Sequence, residues 1–351
     1  MNVPSHRIGI IATLVLALVA GMPATAVAKD KRDLTVMTQN LYLGASLTPV
    51  GAATTPFDFF VAVATIYAEV QFTDFPARAD AIAAEIEAND PDVIALQEVT
   101  TWTSTGPGAP PSLDFLAILQ EDFADRGLSY SLAAASNNVH VGPLPLLLCS
   151  GPFGSCLLTL QDRDVILVND DNPRLHTFGP RSGRYVAQQV QTTPVGPLSF
   201  DRGWASIDGT LDGKAFRFVT THLEIEQSPV VQEAQANEFL AGPAKTGGAV
   251  IAAGDFNSAA DGSTTTTYAN LTKAYFMDSW ATDPGDPGYS CCQSDTLTNA
   301  TSTFASRIDL VLTHGASNAL TAKLVGNSPF QATAPLWPSD HAGLVATVRL
   351  H

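Results

Sequence analysis

The sequence predicts an α/β protein built on mixed β-sheets, a sandwich rather than a parallel doubly wound sheet. Short apolar runs such as residues 92–97 read as strands buried on both faces. Helical spacing of apolar residues is confined to a few segments, so strands outnumber helices and strict strand–helix alternation is missing.

Taken in order, residues 34–40 alternate apolar and polar types and form an opening strand that runs into a loop at Leu43-Gly44. Asp74-Phe75-Pro76 starts a helix, with Asp74 as cap and Pro76 in the first turn. Ala79, Ile82, Ala83 and Ile86 then recur at helical spacing until Asn89-Asp90-Pro91 stops the helix. The strand at 92–97 follows, with Glu98 at its carboxyl end. The same arrangement recurs at 216–221 before His222 and at 249–253 before Asp255. Residues 165–168, 307–313 and 343–350 are further strands and 229–240 is a helix. Residues 281–300, rich in Pro, Gly, Asp and Cys, read as a long surface loop. No repeat, heptad or Pro/Gly-rich linker divides the chain, so residues 29–351 are expected to form one catalytic domain.

Residues 1–28 read as an export signal. Arg7 precedes an apolar run over 8–20, and Ala26-Val27-Ala28 supplies a small-x-small cleavage site near Ala28. The run is short for a bilayer, which takes roughly 20 residues in a helix, so secretion with cleavage is expected over a retained anchor. Cleavage removes one basic and no acidic residue, moving the formal charge from −16 to −17. A surface this acidic argues against a broad nucleic-acid-binding face. It still permits catalysis on phosphates, because a bound dication inverts the local field. Four cysteines in an exported chain suggest disulfides, with three pairings possible. Cys149 and Cys156 can close a small loop, leaving Cys291-Cys292 as a vicinal pair, bridged or free.

Each polar strand end has an ordinary reading as a turn former or cap. Together they form an ordered set: Thr38-Gln39-Asn40, Leu96-Gln97-Glu98-Val99, Thr221-His222-Leu223, Gly254-Asp255-Phe256-Asn257, Arg307-Ile308-Asp309 and Ser339-Asp340-His341. In these six blocks the chain resembles the endonuclease/exonuclease/phosphatase superfamily of deoxyribonuclease I-like phosphoesterases. The resemblance spans nearly all the mature chain. It implies a four-layer sandwich, with two mixed β-sheets packed face to face and helices outside, and a divalent-metal-dependent phosphoester hydrolase.

In-line attack of water on phosphorus builds negative charge on the oxygens, so the site needs a hard cation and aimed donors. Glu98 and Asp340 offer hard oxygen ligands and Asn40 an amide oxygen, a sparse set that suits Mg²⁺, with Mn²⁺ or Ca²⁺ as alternatives. The resemblance assigns an Asp309–His341 pair to activating water or stabilising the phosphoryl group, with Asp255 as the competing base. It has His222 donating to phosphate or leaving oxygen, and Asn257 presenting its amide N–H₂ to the phosphate. Asp162 is a candidate acidic partner for His222, and Arg202 a candidate phosphate ligand.

The substrate is a phosphoester, a lipid headgroup or a nucleic acid, and no protein partner is implied. The acidic balance favours a phospholipid or sphingomyelin-type phosphodiester, with a secreted nuclease as the alternative and a non-catalytic phosphate-binding module further off. Residues 141–160 carry Leu144, Leu146, Leu147, Leu148, Phe153, Leu157 and Leu158 around Cys149 and Cys156. Exposed, this loop would make transient membrane contact, as apolar hairpins do in related sphingomyelinases; buried, it is core around a disulfide.

Overall fold

The computed structural model describes residues 32–282, 285–331 and 333–351; the export segment read at 1–28 lies outside them. In chain order the elements are β1 (Asp33–Asn40), α1 (Thr48–Ala52), α2 (Pro56–Phe72), α3 (Phe75–Asn89), β2 (Val93–Gln97), β3 (Thr101–Thr105), β4 (Leu113–Asp114) and α4 (Phe115–Asp125). Then come β5 (Tyr130–Pro145), β6 (Leu157–Asn169), β7 (Leu175–Arg184), β8 (Gln189–Thr193), β9 (Gly196–Phe200), β10 (Gly203–Leu211) and β11 (Lys214–His222). The last are α5 (Pro229–Ala241), β12 (Ala249–Asp255), α6 (Thr267–Lys273), β13 (Met277–Asp278), β14 (Asp309–His314), β15 (Ser317–Val325) and β16 (Gly343–Leu350).

An eight-stranded sheet runs β15-β16-β1-β2-β6-β3-β4 with β5 also on β6, and a six-stranded sheet runs β13-β14-β12-β11-β10-β7. Both are mixed: β1 is parallel to β2 and β11 to β12, while the other pairings are antiparallel. β8 and β9 form a separate hairpin.

Period-two alternation sends successive side chains of a central strand into different layers. In β2, Val93 and Ala95 face the opposite sheet, whereas Ile94 and Leu96 pack in the cluster that holds α2, α3 and α4. In β12, Ala249, Ile251 and Ala253 meet the first sheet, while Val250 and Ala252 pack on the side of α5 and α6. The result is the expected four layers, and the double burial explains why these strands read as unbroken apolar runs. Burying each large side chain contributes roughly 1.5–3 kcal/mol.

Local details differ from the reading of the sequence. Asp74 lies in the left-handed region at φ 46° and its side chain caps nothing. A reciprocal cap occurs instead at α2, where Thr55 accepts from Asp58 N at 3.1 Å and Asp58 accepts from Thr55 N at 3.1 Å. The 141–160 segment is not an exposed apolar loop. It belongs to the β5–β6 hairpin, with Leu146, Cys156, Leu158 and Leu160 buried and Leu144, Leu147 and Leu148 packed against the same core. Phe153, 65% exposed, lies edge-on to Phe60. Cys149 pairs with Cys156, and Cys291 with Cys292. Among the described residues no helix is long and apolar enough to cross a membrane.

On α3, Glu85 lies against the Gly326 turn, and burial pushes its carboxyl from 4.5 up to about 7. Folding therefore favours the protonated form. Stability from this group is complete below about pH 4.5 and is lost as pH rises through 7. Glu85→Gln should stabilise the protein by about 1–2 kcal/mol at pH 8, after allowance for partial solvation, and by almost nothing at pH 4.5. Urea melts at both pH values check this, and equal midpoint shifts at the two would show the carboxyl to be solvated.

Candidate active site

Parallel strands end, and their antiparallel neighbours begin, on the same edge of a sheet. Asn40 ends β1 and Glu98 follows β2, while Ser339, Asp340 and His341 precede β16, which runs antiparallel to β1. On the second sheet His222 ends β11, Asp255 ends β12 and Asp309 begins the antiparallel β14. His222 pairs in register with Asp255 and Asp255 with Asp309, which sets the three residues in a row across three strands. Gly254 permits this spacing: a Cβ there would fall 2.0 Å from the Thr221 carbonyl oxygen.

Hydrogen bonds join the two edges. His341 Nδ1 lies 2.8 Å from Asp309 Oδ2, and its Nε2 is 3.8 Å from Asp255 Oδ2. His222 Nε2 is 3.4 Å from the same Asp255 oxygen. The 339–341 turn is tied to β1, with Ser339 Oγ donating to Asn40 O at 2.7 Å and Gln39 Nε2 donating to His341 O at 3.2 Å. Glu98, in the left-handed region at φ 55°, is held where its carboxylate accepts from Leu43 N at 2.6 Å.

Asn40 sits within a hydrogen-bond network that joins both sheets. Its Nδ2 donates to Glu98 Oε1 at 3.3 Å and Asp255 Oδ2 at 3.2 Å, while its Oδ1 accepts from Tyr42 N at 2.9 Å. The side chain thus orients two carboxylates through its amide nitrogen, and its oxygen already accepts one backbone N–H. Asn257, at φ 49°, donates its backbone N–H to Asp255 Oδ1 and one amide N–H to Leu223 O, both at 2.9 Å, which leaves its second amide N–H for a ligand.

The expected pair between Asp162 and His222 does not form. Asp162 accepts from Asn138 at 3.4 Å and faces Glu98 and Arg202, whereas register sets Asp255 beside His222 and leaves His222 Nδ1 without a hydrogen-bond partner. Arg202 is partly buried and lies 3.8 Å from Glu224, on the same recess as Glu98 and Asp162.

Burial, reinforced by neighbouring carboxylates, pushes Asp255, Asp340 and Asp162 each up to about 7; Asp309 acts on Asp255, and Glu98 on the other two. Burial opposes charge on His341, yet Asp309, Asp340 and Asp255 hold it well above the ordinary histidine range. Burial, with Arg202 and His341 nearby, keeps His222 well below that range and so neutral. Crowded hard oxygens that resist ionising together fit a divalent cation, which would offset their repulsion; Glu98 lies near enough to Asp340 to raise its carboxyl, and Asp255, Asp309 and His341 each bring one ligand atom within 4.8 Å of the others.

Three contributors went unseen in the sequence. Arg78, fully buried on α3, donates to Leu41 O at 2.6 Å, Pro338 O at 3.0 Å, Tyr42 O at 3.1 Å and Thr73 O at 3.0 Å. It thereby clamps the loop after Asn40 to the turn before Asp340. Its signal was present, since Arg78 sits on the buried stripe of Phe75, Ala79 and Ile82. Ser290 Oγ accepts from Asp309 N at 3.2 Å, and Cys292 Sγ lies 3.9 Å from His341 Nε2. Neither had a motif to mark it.

The described Endonuclease/Exonuclease/phosphatase family matches residues 37–341, an interval that holds every residue of the site. None of the curated proteins matches the chain. Among solved structures, an endonuclease/exonuclease/phosphatase from Beutenbergia cavernae is 22% identical with a TM-score of 0.57, covering 91% of this chain and 72% of its own. A family protein from Leptotrichia buccalis is 17% identical with a TM-score of 0.58, covering 90% and 100%. D. rerio TDP2, solved with a single-strand DNA product, is 16% identical with a TM-score of 0.54, covering 90% and 99%. The structural likenesses establish the fold, and the family match supplies the rest: the chain belongs to the endonuclease/exonuclease/phosphatase family, whose members are metal-dependent phosphoester hydrolases.

Proposed function

We propose that this chain is a secreted phosphodiesterase that uses Mg²⁺ held by Glu98 and Asp340. The observation that carries the reading is the His341 imidazole set between Asp309 and Asp255, with His222 3.4 Å from the same Asp255 oxygen. The divalent ion supplies positive charge for the phosphoryl oxygens. Asp255 takes the proton of the attacking water. His341, anchored by Asp309, places its charge on the phosphoryl group, and neutral His222 and the free amide N–H of Asn257 donate to phosphate and leaving oxygens. Asn40 keeps Glu98 and Asp255 in place.

A phospholipid-type diester is favoured over duplex DNA, since a mature charge of −17 gives little of the basic surface on which non-specific DNA affinity depends. A nuclease is the second reading, favoured by the likeness to TDP2 with its single-strand DNA product.

The test is a panel of phosphodiesters, phospholipids, nucleic acids and phosphomonoesters assayed with Mg²⁺ and with excess chelator. Turnover should vanish in chelator and return with Mg²⁺; full turnover in chelator would sink the mechanism. Glu98→Gln should raise the Mg²⁺ concentration needed for half-maximal rate about tenfold or more, by loss of one charged ligand, with the melting temperature little changed.

A further inference from the structure

Cys291 and Cys292 lie between the chain segments that carry Asp309 and His341. Cys291 forms antiparallel bridges to both Ser306 and His341. On one side Cys291 N donates to Ser306 O at 2.9 Å and Ser306 N to Cys291 O at 3.1 Å. On the other, Ala342 N donates to Ser290 O at 2.8 Å and Gln293 N to Asp340 O at 2.9 Å. The backbone that carries both sulfurs is thus fixed from two sides, and Cys292 Sγ comes 3.9 Å from His341 Nε2. Cys291 is buried, whereas Cys292 is exposed and open to a reductant.

A bridge between sequence neighbours closes almost no chain, so restriction of the unfolded state, which grows with loop length, gives it little stabilising effect. Its surroundings point to a different use. The two sulfurs and the His341 imidazole bring three ligand atoms within 4.8 Å of one another. Thiolate with imidazole is a donor set for zinc, whereas Mg²⁺ takes oxygen. The imidazole is also oriented as zinc-bound histidines are: Nδ1 is fixed on a carboxylate, Asp309 Oδ2, at 2.8 Å, and Nε2 is the nitrogen near the sulfur. While the sulfurs are bonded to each other neither is a thiolate, and the donor set is closed.

We propose that Cys291, Cys292 and His341 form a Zn²⁺ site that exists only when the vicinal disulfide is reduced, with water completing the coordination, and that zinc bound there stops hydrolysis. A phosphine reductant breaks the S–S bond and takes up the oxygen of a water molecule, which leaves two thiols and a phosphine oxide. A dithiol reductant passes its two hydrogens to the sulfurs and becomes a disulfide itself. Zinc then displaces the thiol protons and any proton on Nε2. That nitrogen faces Asp255 across 3.8 Å, so an ion held on it takes His341 away from the phosphoryl group. The inhibition rests on the phosphodiesterase reading; the binding stands without it.

The experiment titrates the full chain with Zn²⁺, and with Co²⁺ as a spectroscopic stand-in, before and after phosphine reduction and with Mg²⁺ in excess. Reduced protein should bind one more Zn²⁺ per chain than oxidised protein, and its Co²⁺ form should show thiolate-to-metal charge-transfer absorption that the oxidised form lacks. Cys291→Ser with Cys292→Ser should abolish that absorption, and Cys149→Ser with Cys156→Ser should keep it. Zinc should also shield Cys291 and Cys292 of the unmutated reduced chain from alkylation, a readout that needs no variant. Asp309→Asn should weaken zinc binding about tenfold to a hundredfold, as loss of a ligand's carboxylate partner does. Equal zinc binding in both redox states with no thiolate absorption would put the ion on the carboxylates and overturn the site. Thiolate absorption and affinity unchanged in His341→Ala would remove the histidine and overturn the three-ligand site. Zinc bound as expected while the reduced enzyme keeps its full rate would overturn the inhibition. The same binding in a chain that hydrolyses no phosphoester in either redox state would uphold the site and overturn the phosphodiesterase reading.

Discussion

His341→Ala is expected to lower kcat by about a hundredfold to ten-thousandfold, the usual range for removing a group that handles charge or protons at the reacting centre. The ring is 6% exposed, anchored through Nδ1 to Asp309, and faces Asp255 through Nε2. Alanine removes both the positive charge near the phosphoryl group and the partner that moderates repulsion between Asp255 and Asp309. Asp309→Asn should cost less, because an amide oxygen can still accept from Nδ1 while the charge that holds the ring protonated is gone. The double variant should lose little more than His341→Ala alone, as expected of residues that act as one unit. Single-turnover rates at saturating Mg²⁺ decide the matter. Losses that multiply independently would mean that Asp309 does not work through His341.

Arg78→Met should destabilise the fold by about 3–5 kcal/mol, the scale seen when one partner of a buried charged network is removed. Methionine can fill much of the volume, but the carbonyls of Leu41, Tyr42, Thr73 and Pro338 lose their donors inside the protein. Burial lowers the guanidinium to about 10, so it stays charged at neutral pH. Arg78→Lys should not rescue the loss, because one ammonium cannot span four carbonyls arranged around a planar fork. Urea unfolding gives the stability, and activity measured well below the melting temperature gives the second effect, a displaced Asp340. A methionine variant as stable and active as the parent would remove Arg78 from the support of the site.

The legibility of the fold follows the same physics. Strands β2 and β12 were plain in the sequence because burial on both faces removes polar residues altogether, and the polar residue that ends each run marks an edge. Helix α2 was missed because it is apolar nearly all round, with Phe57, Val61 and Phe72 exposed, so no period emerges. Its start was nonetheless written in Thr55 and Asp58. The half-exposed strands β5 and β7 to β9 carry mixed residues and left little pattern, whereas of β6 only the buried end at 165–168 was readable. Within the site, the six blocks were readable because each places a reactive type at a strand end. The Asp162–His222 pairing failed because register decides which carboxylate meets an imidazole, and register is a property of strand partners that linear spacing does not contain.

The site straddles the seam between the two sheets. Asn40, Glu98, Asp340 and His341 belong to the first, and His222, Asp255 and Asp309 to the second. Each sheet by itself is thus a chemically inert half. A chain with both sheets formed but undocked would hold every reactive group with the site unassembled. The first turnover would report closure of the seam itself.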